Sequence, residues 1–154
     1  MSAFFFDSSA LVKRFAREQG TPFVLSLLRP SAQNRLYCAR MTEVEVCSAL
    51  VRRQRATTIA GSQMTKGLRR LRSDLRRRFS QVAITEDVVV DASLLAEKYA
   101  LRGYDAVQLA AALRADSERM SNGLSPLTLV SADGDLNDAA VVEGLSVENP
   151  NSHP

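Results

Sequence analysis

Four acidic side chains stand at the edges of otherwise apolar segments, where a charge needs a specific reason. Asp7 follows an aromatic run near the start of the chain, and Asp133 follows a second apolar run near the end. Asp105 lies in the first turn of a predicted Ala- and Leu-rich helix, and Glu45 lies on or beside the apolar face of another. Because a carboxylate on an apolar face is destabilising without a partner, we predict that the four acids share a site.

Clustered carboxylates are typical of a divalent cation site. Carboxylates held together repel one another and need a bound cation to stay ionised, and oxygen ligands suit Mg²⁺ and Mn²⁺. Such a cation can bind a phosphate, activate a water and stabilise a leaving oxygen. Residues for the competing chemistries are missing from the sequence. The one histidine is His153, Cys38 and Cys47 form no C-x-x-C pair, and there is no Gly-rich phosphate loop.

Each acid taken alone also has a structural explanation. Asp7 could cap the helix that follows it, and Asp105 could complement a helix dipole. Glu45 could pair with Arg52 or Arg53 further along its helix. The last acid precedes a glycine, as in a plain turn. The argument for a site therefore depends on the four acids together.

Predicted strands alternate with predicted helices along the whole chain. The apolar patterns predict strands at 3–6, 36–39, 82–84, 127–130 and 145–147. They predict helices at 10–18, 21–28, 42–55, 62–79, 86–99, 104–117 and 135–143, with Ser8 or Ser9 capping the first and Thr85 the fifth. This order favours an α/β sandwich around a mainly parallel sheet, whose ligands bind at the carboxyl ends of the strands. We expect a single domain over residues 1–148 and a frayed tail over 149–154.

The composition is that of a globular chain. Of the 154 residues, 45% are hydrophobic and 24% charged, which excludes a wholly disordered chain and a fibrous repeat. No apolar stretch approaches the roughly 20 residues that span a bilayer, and the first residues lack the basic start of a signal peptide. We therefore predict a soluble cytoplasmic protein that does not associate with membranes.

The segments that carry the four acids resemble, in order and spacing, the four motifs of the PIN-domain ribonucleases, in particular the VapC-type toxins of bacterial toxin–antitoxin pairs. These segments are Phe6–Val12, Thr42–Leu50, Tyr104–Ala112 and Leu129–Leu136. The resemblance extends from Ala3 to about Val147. It implies a three-layer α/β/α fold, a homodimer, Mg²⁺- or Mn²⁺-dependent cleavage of RNA, and neutralisation by a small cognate antitoxin.

The resemblance also assigns roles to individual residues. Asp7 and Asp105 match the acids of the first and third motifs, and we expect them to be the principal metal ligands. Glu45, rather than Glu43, matches the acid of the second motif. Asp133 matches the acid of the fourth motif, so Glu45 and Asp133 would complete the site directly or through water. Hydrolysis would leave a 5′-phosphate and a 3′-hydroxyl.

Three further polar residues accompany the motifs. Ser8 and Ser9 are expected to hydrogen-bond a ligand carboxylate or the substrate. Asp135 is an extra acid beside the fourth motif, and we expect it to cap the following helix rather than bind metal. Gln108 stands where many members of the family carry a histidine, which is not an essential ligand.

Arginine and lysine are concentrated in one segment. Residues 52–78 contain ten basic residues and one acid, although the whole chain has a net charge of only +3. Arginine suits forked contacts to phosphate, so the segment is a candidate clamp for the RNA backbone through Arg52, Arg69, Arg72 and Arg76. An interface with a second copy or with the antitoxin would use the same side chains, and the sequence leaves both interpretations open.

Two other functions compete with a ribonuclease. The first is a catalytically silent PIN module that binds RNA without cutting it. The second is a Mg²⁺-dependent phosphotransfer domain of the receiver or haloacid-dehalogenase type, which also has an aspartate after its first strand. The dehalogenase pattern needs a second aspartate two residues later, where this chain has Ser9.

Overall fold

The centre of the fold is a parallel five-stranded sheet, described here from a computed structural model that covers residues 1–153. Its strands are β1 (Ala3–Phe6), β2 (Arg35–Ala39), β3 (Phe79–Val82), β4 (Thr128–Val130) and β5 (Ser146–Glu148). The spatial order is β3-β2-β1-β4-β5, and every neighbouring pair is parallel. The chain builds outward from β1 to β3 on one side and then returns to add β4 and β5 on the other.

Seven α-helices cover the two faces of the sheet. They are α1 (Ser8–Leu11), α2 (Thr21–Leu27), α3 (Thr42–Arg55), α4 (Gly61–Arg78), α5 (Glu86–Tyr99), α6 (Gly103–Ser121) and α7 (Gly134–Val142). Helices α1 to α4 pack on one face around a core that includes Phe6, and α5 to α7 pack on the other around a core that includes Phe5. Alternation along β1 sends these two fully buried rings to opposite faces. The fold is therefore the α/β sandwich with a parallel sheet that the sequence pattern predicts, in the three-layer α/β/α form that the resemblance implies.

Several element boundaries differ from prediction. Helices α3 and α5 have the predicted bounds, and Thr85 caps α5 by accepting a hydrogen bond from the Val88 backbone N–H. The predicted first helix is wrong in extent, because α1 ends at Leu11 and continues as a 3-10 turn over Val12–Arg14. The predicted third strand at 82–84 is also wrong. Strand β3 begins at Phe79, whose ring packs edge-on against the core at 5.9 Å from that of Phe6.

The helix predicted to end at residue 117 continues to Ser121. The extra turn is anchored by Arg119, which is buried although it is charged. Its guanidinium donates to the Ser125 carbonyl at 2.8 Å and to the Tyr37 hydroxyl at 3.0 Å. The bond to Tyr37, which is 82 positions away in the sequence, ties this end of the helix to β2.

The frayed tail predicted for 149–154 is wrong for residues 149–153, and Pro154 lies outside the described residues. Pro150–Ser152 form a 3-10 turn, and Pro150 packs against Gly20. The backbone of Gly20 has a positive φ of 80°. A Cβ at Gly20 would lie 2.4 Å from the Pro150 carbonyl oxygen, so only glycine fits this contact. The His153 ring stacks on Phe23 with 3.7 Å between centroids.

In the part of the chain that the structure describes, we find no helix with the length and apolar character needed to cross a membrane.

Candidate active site

Asp7 emerges from the carboxyl end of the central strand β1. Its side chain caps α1 by accepting a hydrogen bond from the Ser9 backbone N–H at 3.2 Å, so the predicted capping role belongs to Asp7 and not to Ser8 or Ser9. The same carboxylate accepts bonds from the Ser9 hydroxyl at 2.5 Å and from the Ser131 hydroxyl at 3.3 Å. Only 2% of Asp7 is exposed, and these donors hold its carboxylate in one orientation.

Glu45 lies in the first turn of α3, and both of its carboxylate oxygens are hydrogen-bonded. Oε1 accepts from Gln108 Nε2 at 2.7 Å, and Oε2 accepts from the Ser8 hydroxyl at 3.0 Å. The predicted alternative of an arginine partner is wrong, because among residues 1–153 no cation lies within ion-pair distance of Glu45 and Arg53 pairs with a different acid. Glu43 forms an ion pair with Arg72 at 3.6 Å.

Asp105 and Asp133 belong to the other helical layer. Asp105 lies in the first turn of α6. Asp133 follows β4 and caps α7, because its Oδ1 accepts from the Leu136 backbone N–H at 2.9 Å. The capping role predicted for Asp135 is therefore wrong, and Asp135 is an exposed residue of the first turn.

All four predicted acids line one cavity of about 820 Å³ at the carboxyl ends of β1 and β4. This catalytic cavity lies where the strand order reverses direction, the place at which open α/β sheets bind ligands. Its wall also contains cationic and polar residues, namely Lys13, Arg52, Arg53, Arg102, Tyr104 and Asn151.

Burial raises the pKa values of Asp7, Glu45 and Asp105, and neighbouring acids add to the rise for Glu45 and Asp105. Burial, followed by the charges of Asp133, Asp7 and Glu45, raises the pKa of Asp105 to about 6. Burial also raises the pKa of Asp7, against the opposing effect of the serine hydrogen bonds. Burial and the charge of Asp7 raise the pKa of Glu45, although Gln108 and Ser8 donate hydrogen bonds to it. The cluster therefore contains an electrostatic repulsion that a bound cation would relieve.

The donor set fits Mg²⁺ or Mn²⁺ by its chemistry. The cavity offers four carboxylates, and hard divalent cations prefer oxygen ligands. Within residues 1–153, no three Asp, Glu, His or Cys side chains stand close enough together to form a complete metal-binding group. One or two carboxylates with water molecules are enough to bind Mg²⁺, so the residues suit the ion.

Hydroxyl groups connect the two strand ends that carry the acids. Ser8 donates to Glu45 and lies 3.5 Å from Asp7 Oδ1, and Ser9 accepts from the Ala132 backbone N–H at 2.9 Å. Ser131 was missed by the sequence analysis, yet it is fully buried and accepts from the Asp133 backbone N–H at 3.1 Å. Its one sequence signal is a small polar residue directly after an apolar strand.

The structure separates the arginines that were predicted to act together. Arg52 lines the catalytic cavity. Arg69, Arg72 and Arg76 line a different groove on α4, which we call the α4 groove and which has a volume of about 340 Å³. The sequence analysis missed Arg102 and Tyr104, which lie on the rim of the catalytic cavity just before Asp105.

The fold and site together define a three-layer α/β protein with a carboxylate cluster at the reversal point of a parallel sheet. The sequence model of the PIN domain matches residues 4–142, and the chain therefore belongs to the PIN domain family. Among proteins with curated functions, none matches the sequence significantly.

Solved structures with the same fold share little sequence with this chain. A toxin–antitoxin complex from Klebsiella pneumoniae has 20% identity and a TM-score of 0.56, with 95% of this chain and 96% of that chain covered. VapBC2 from Rickettsia felis, bound to a promoter DNA fragment, has 14% identity and a TM-score of 0.58, with 96% and 98% covered. FitAcB from Neisseria gonorrhoeae has 16% identity and a TM-score of 0.59, with 98% and 99% covered.

Proposed function

We propose that this protein is a metal-dependent endoribonuclease that acts in the cytoplasm as the toxin of a toxin–antitoxin pair. The observation that carries the proposal is the gathering of four acids from distant parts of the chain around one cavity. Three of these acids have raised pKa values, which is the state expected of ligands without their cation. Membership of the PIN domain family supports the same conclusion.

In the proposed reaction, Asp7 and Asp105 are the principal ligands of Mg²⁺ or Mn²⁺, and Glu45 and Asp133 complete the site directly or through water. A divalent cation held by these residues would supply positive charge to the scissile phosphate and lower the pKa of the attacking water. The protein orients the carboxylates, because Ser8, Ser9, Ser131 and Gln108 hydrogen-bond them from behind. In-line attack on phosphorus then gives a 5′-phosphate and a 3′-hydroxyl.

The rim of the catalytic cavity suits a polyanionic strand. Arg52 and Arg102 are exposed there, and neither has an ion-pair partner among the described residues. We assign them to the phosphates on either side of the scissile one. Tyr104 is 67% exposed beside them and can stack on one base.

The α4 groove is proposed as a second contact for the RNA backbone. Arg69, Arg72 and Arg76 are exposed on one stripe of α4, and only Arg72 has an ion-pair partner within residues 1–153. Arg69→Glu combined with Arg72→Glu should weaken RNA binding and flatten its dependence on salt. If the mass of the assembly changes while RNA affinity does not, the groove is a protein interface instead.

A protein partner is also part of the proposal. The Klebsiella structure of the same fold is a toxin–antitoxin complex. We propose that this chain likewise forms a homodimer and is neutralised by a cognate antitoxin. Light scattering of the purified protein tests the dimer, and co-expression with the product of a short adjacent gene tests the antitoxin through relief of growth arrest.

The deciding experiment measures cleavage of RNA in EDTA, in Mg²⁺ and in Mn²⁺. Wild type should cut only with a divalent cation, and Asp7→Asn and Asp105→Asn should each abolish cutting. Asp135→Asn is the matched control, because Asp135 is an exposed aspartate beside the same site. Undiminished cleavage in EDTA refutes metal dependence, and RNA binding without turnover identifies a silent RNA-binding module.

A further inference from the structure

We propose that Gln108 is a positioning residue that holds Glu45 from the opposite helical layer and so sets the arrangement of acids that receives the divalent cation. This inference rests on the proposed function. Gln108 has no exposed surface, and its Nε2 donates to Glu45 Oε1 at 2.7 Å and to Thr42 Oγ1 at 3.0 Å. Thr42 is also fully buried and stands one turn before Glu45 on α3. One amide group therefore holds the first turn of α3 at two points.

The topology gives this contact its significance. Helix α3 packs in the layer on one face of the sheet, whereas α6 packs in the layer on the other face. Gln108 reaches past the ends of the strands to connect them. It stands three residues after Asp105, so it lies on the same side of α6 as that acid. The amide thus links Glu45 and Asp105, two acids that belong to different layers.

The amide is poorly explained as a packing residue. Its Oε1 is buried and has no hydrogen-bond partner among the described residues, which is unfavourable for folding. A methionine has a similar length and would fill the same space without an unpaired polar atom. What the glutamine adds is two donated hydrogen bonds, and both go to the turn that carries Glu45.

The test compares Gln108→Met with wild type in binding Mn²⁺, measured by calorimetry without RNA. Loss of a group that orients a metal ligand typically weakens metal affinity by about 10- to 100-fold, and we expect that range here. The kcat for RNA cleavage should fall, while the KM for RNA should change little, because Gln108 is not on the cavity wall. Gln108→His, whose ring can donate one bond to Glu45, should recover part of the affinity.

Arg119→Met is the matched control for stability. Arg119 is a buried polar residue near the other end of α6, and its hydrogen bonds go to Ser125 and Tyr37, away from the catalytic cavity. The Arg119→Met substitution should lower the Tm of the protein without weakening its binding of Mn²⁺. If it weakens Mn²⁺ binding as much as Gln108→Met does, a general loss of stability explains both and the positioning role is refuted.

The outcomes separate the two proposals. If wild type binds Mn²⁺ in an Asp7-dependent manner and Gln108→Met binds it equally well, the positioning role is refuted and the proposed function stands. If wild type binds no Mn²⁺, the metal site itself is refuted. Should Gln108→Met fail to fold, Gln108→His is compared with Gln108→Leu. A higher Mn²⁺ affinity in Gln108→His than in Gln108→Leu supports the role, and equal affinity in both overturns it.

Discussion

Replacing Asp105 with asparagine should stabilise the protein while removing its activity. Asp105 is ionised at neutral pH next to three other acids, and its pKa is raised to about 6 by burial and by those neighbouring charges. In the absence of a cation this charge opposes folding. Asparagine has nearly the same shape and no charge, so Asp105→Asn removes the repulsion and leaves the packing in place.

The size of the effect follows from the shift in pKa. A rise from 3.8 to about 6 is a change of about 2 pK units, and each unit corresponds to about 1.4 kcal/mol. Solvent reaches part of this side chain, so screening reduces the stabilisation to roughly 1–2 kcal/mol. For a chain of this length, each kcal/mol raises the Tm by about 2–4 °C. We therefore expect an increase of about 2–8 °C at pH 7.5.

The effect has a defined dependence on pH. A carboxyl group whose pKa is higher in the folded state binds its proton more tightly there, so the destabilisation is complete above the folded pKa. As the pH falls from about 7 towards 4, Asp105 becomes protonated and wild type recovers the lost stability. The difference in Tm between the variant and wild type should therefore be largest at pH 7.5 and disappear near pH 4.

The assay is thermal unfolding followed by circular dichroism in EDTA at pH 7.5, 6 and 4, with Asp135→Asn as the control for loss of an exposed acid. Adding Mn²⁺ at pH 7.5 should raise the Tm of wild type and leave Asp105→Asn unchanged. A variant no more stable than wild type at pH 7.5, or a difference that does not change with pH, would show that the acids do not repel one another as described.

Three further predictions concern the site and the fold. Ser9→Ala removes the hydroxyl that donates to Asp7 and should lower RNA cleavage by about 10- to 100-fold, measured as initial rate at saturating Mn²⁺. Gly20→Ala combines a positive φ with a clash against the C-terminal turn and should lower the free energy of unfolding by about 1–3 kcal/mol in urea titrations. Arg52→Glu should weaken RNA binding and reduce the dependence of the binding constant on salt concentration. Arg55 is on the same helix but not on the cavity wall, so Arg55→Glu should have a smaller effect on both quantities.

Local sequence pattern was sufficient for the layered α/β fold and for several elements. Helix α3 has its predicted bounds because apolar residues recur every three or four positions within it. Strand β1 is an aromatic run ended by an acid, and the same local reading placed Asp7 at its carboxyl end. Such features depend on residues within one or two turns of each other, so the sequence contains them directly. Local pattern failed where distant contacts decide the structure, as they do for residues 149–153, which pack against Gly20 and Phe23.

The arrangement of the site depended on tertiary structure. Gln108 and Glu45 are 63 positions apart, and no local pattern relates them. Their hydrogen bond exists because two helical layers pack on opposite faces of one sheet and meet beyond the ends of its strands. The same packing brings Arg52 to the catalytic cavity and leaves Arg69, Arg72 and Arg76 in the α4 groove. The sequence by itself determined which residues carry charge, and the packing of the two layers determined which of those charges face one another.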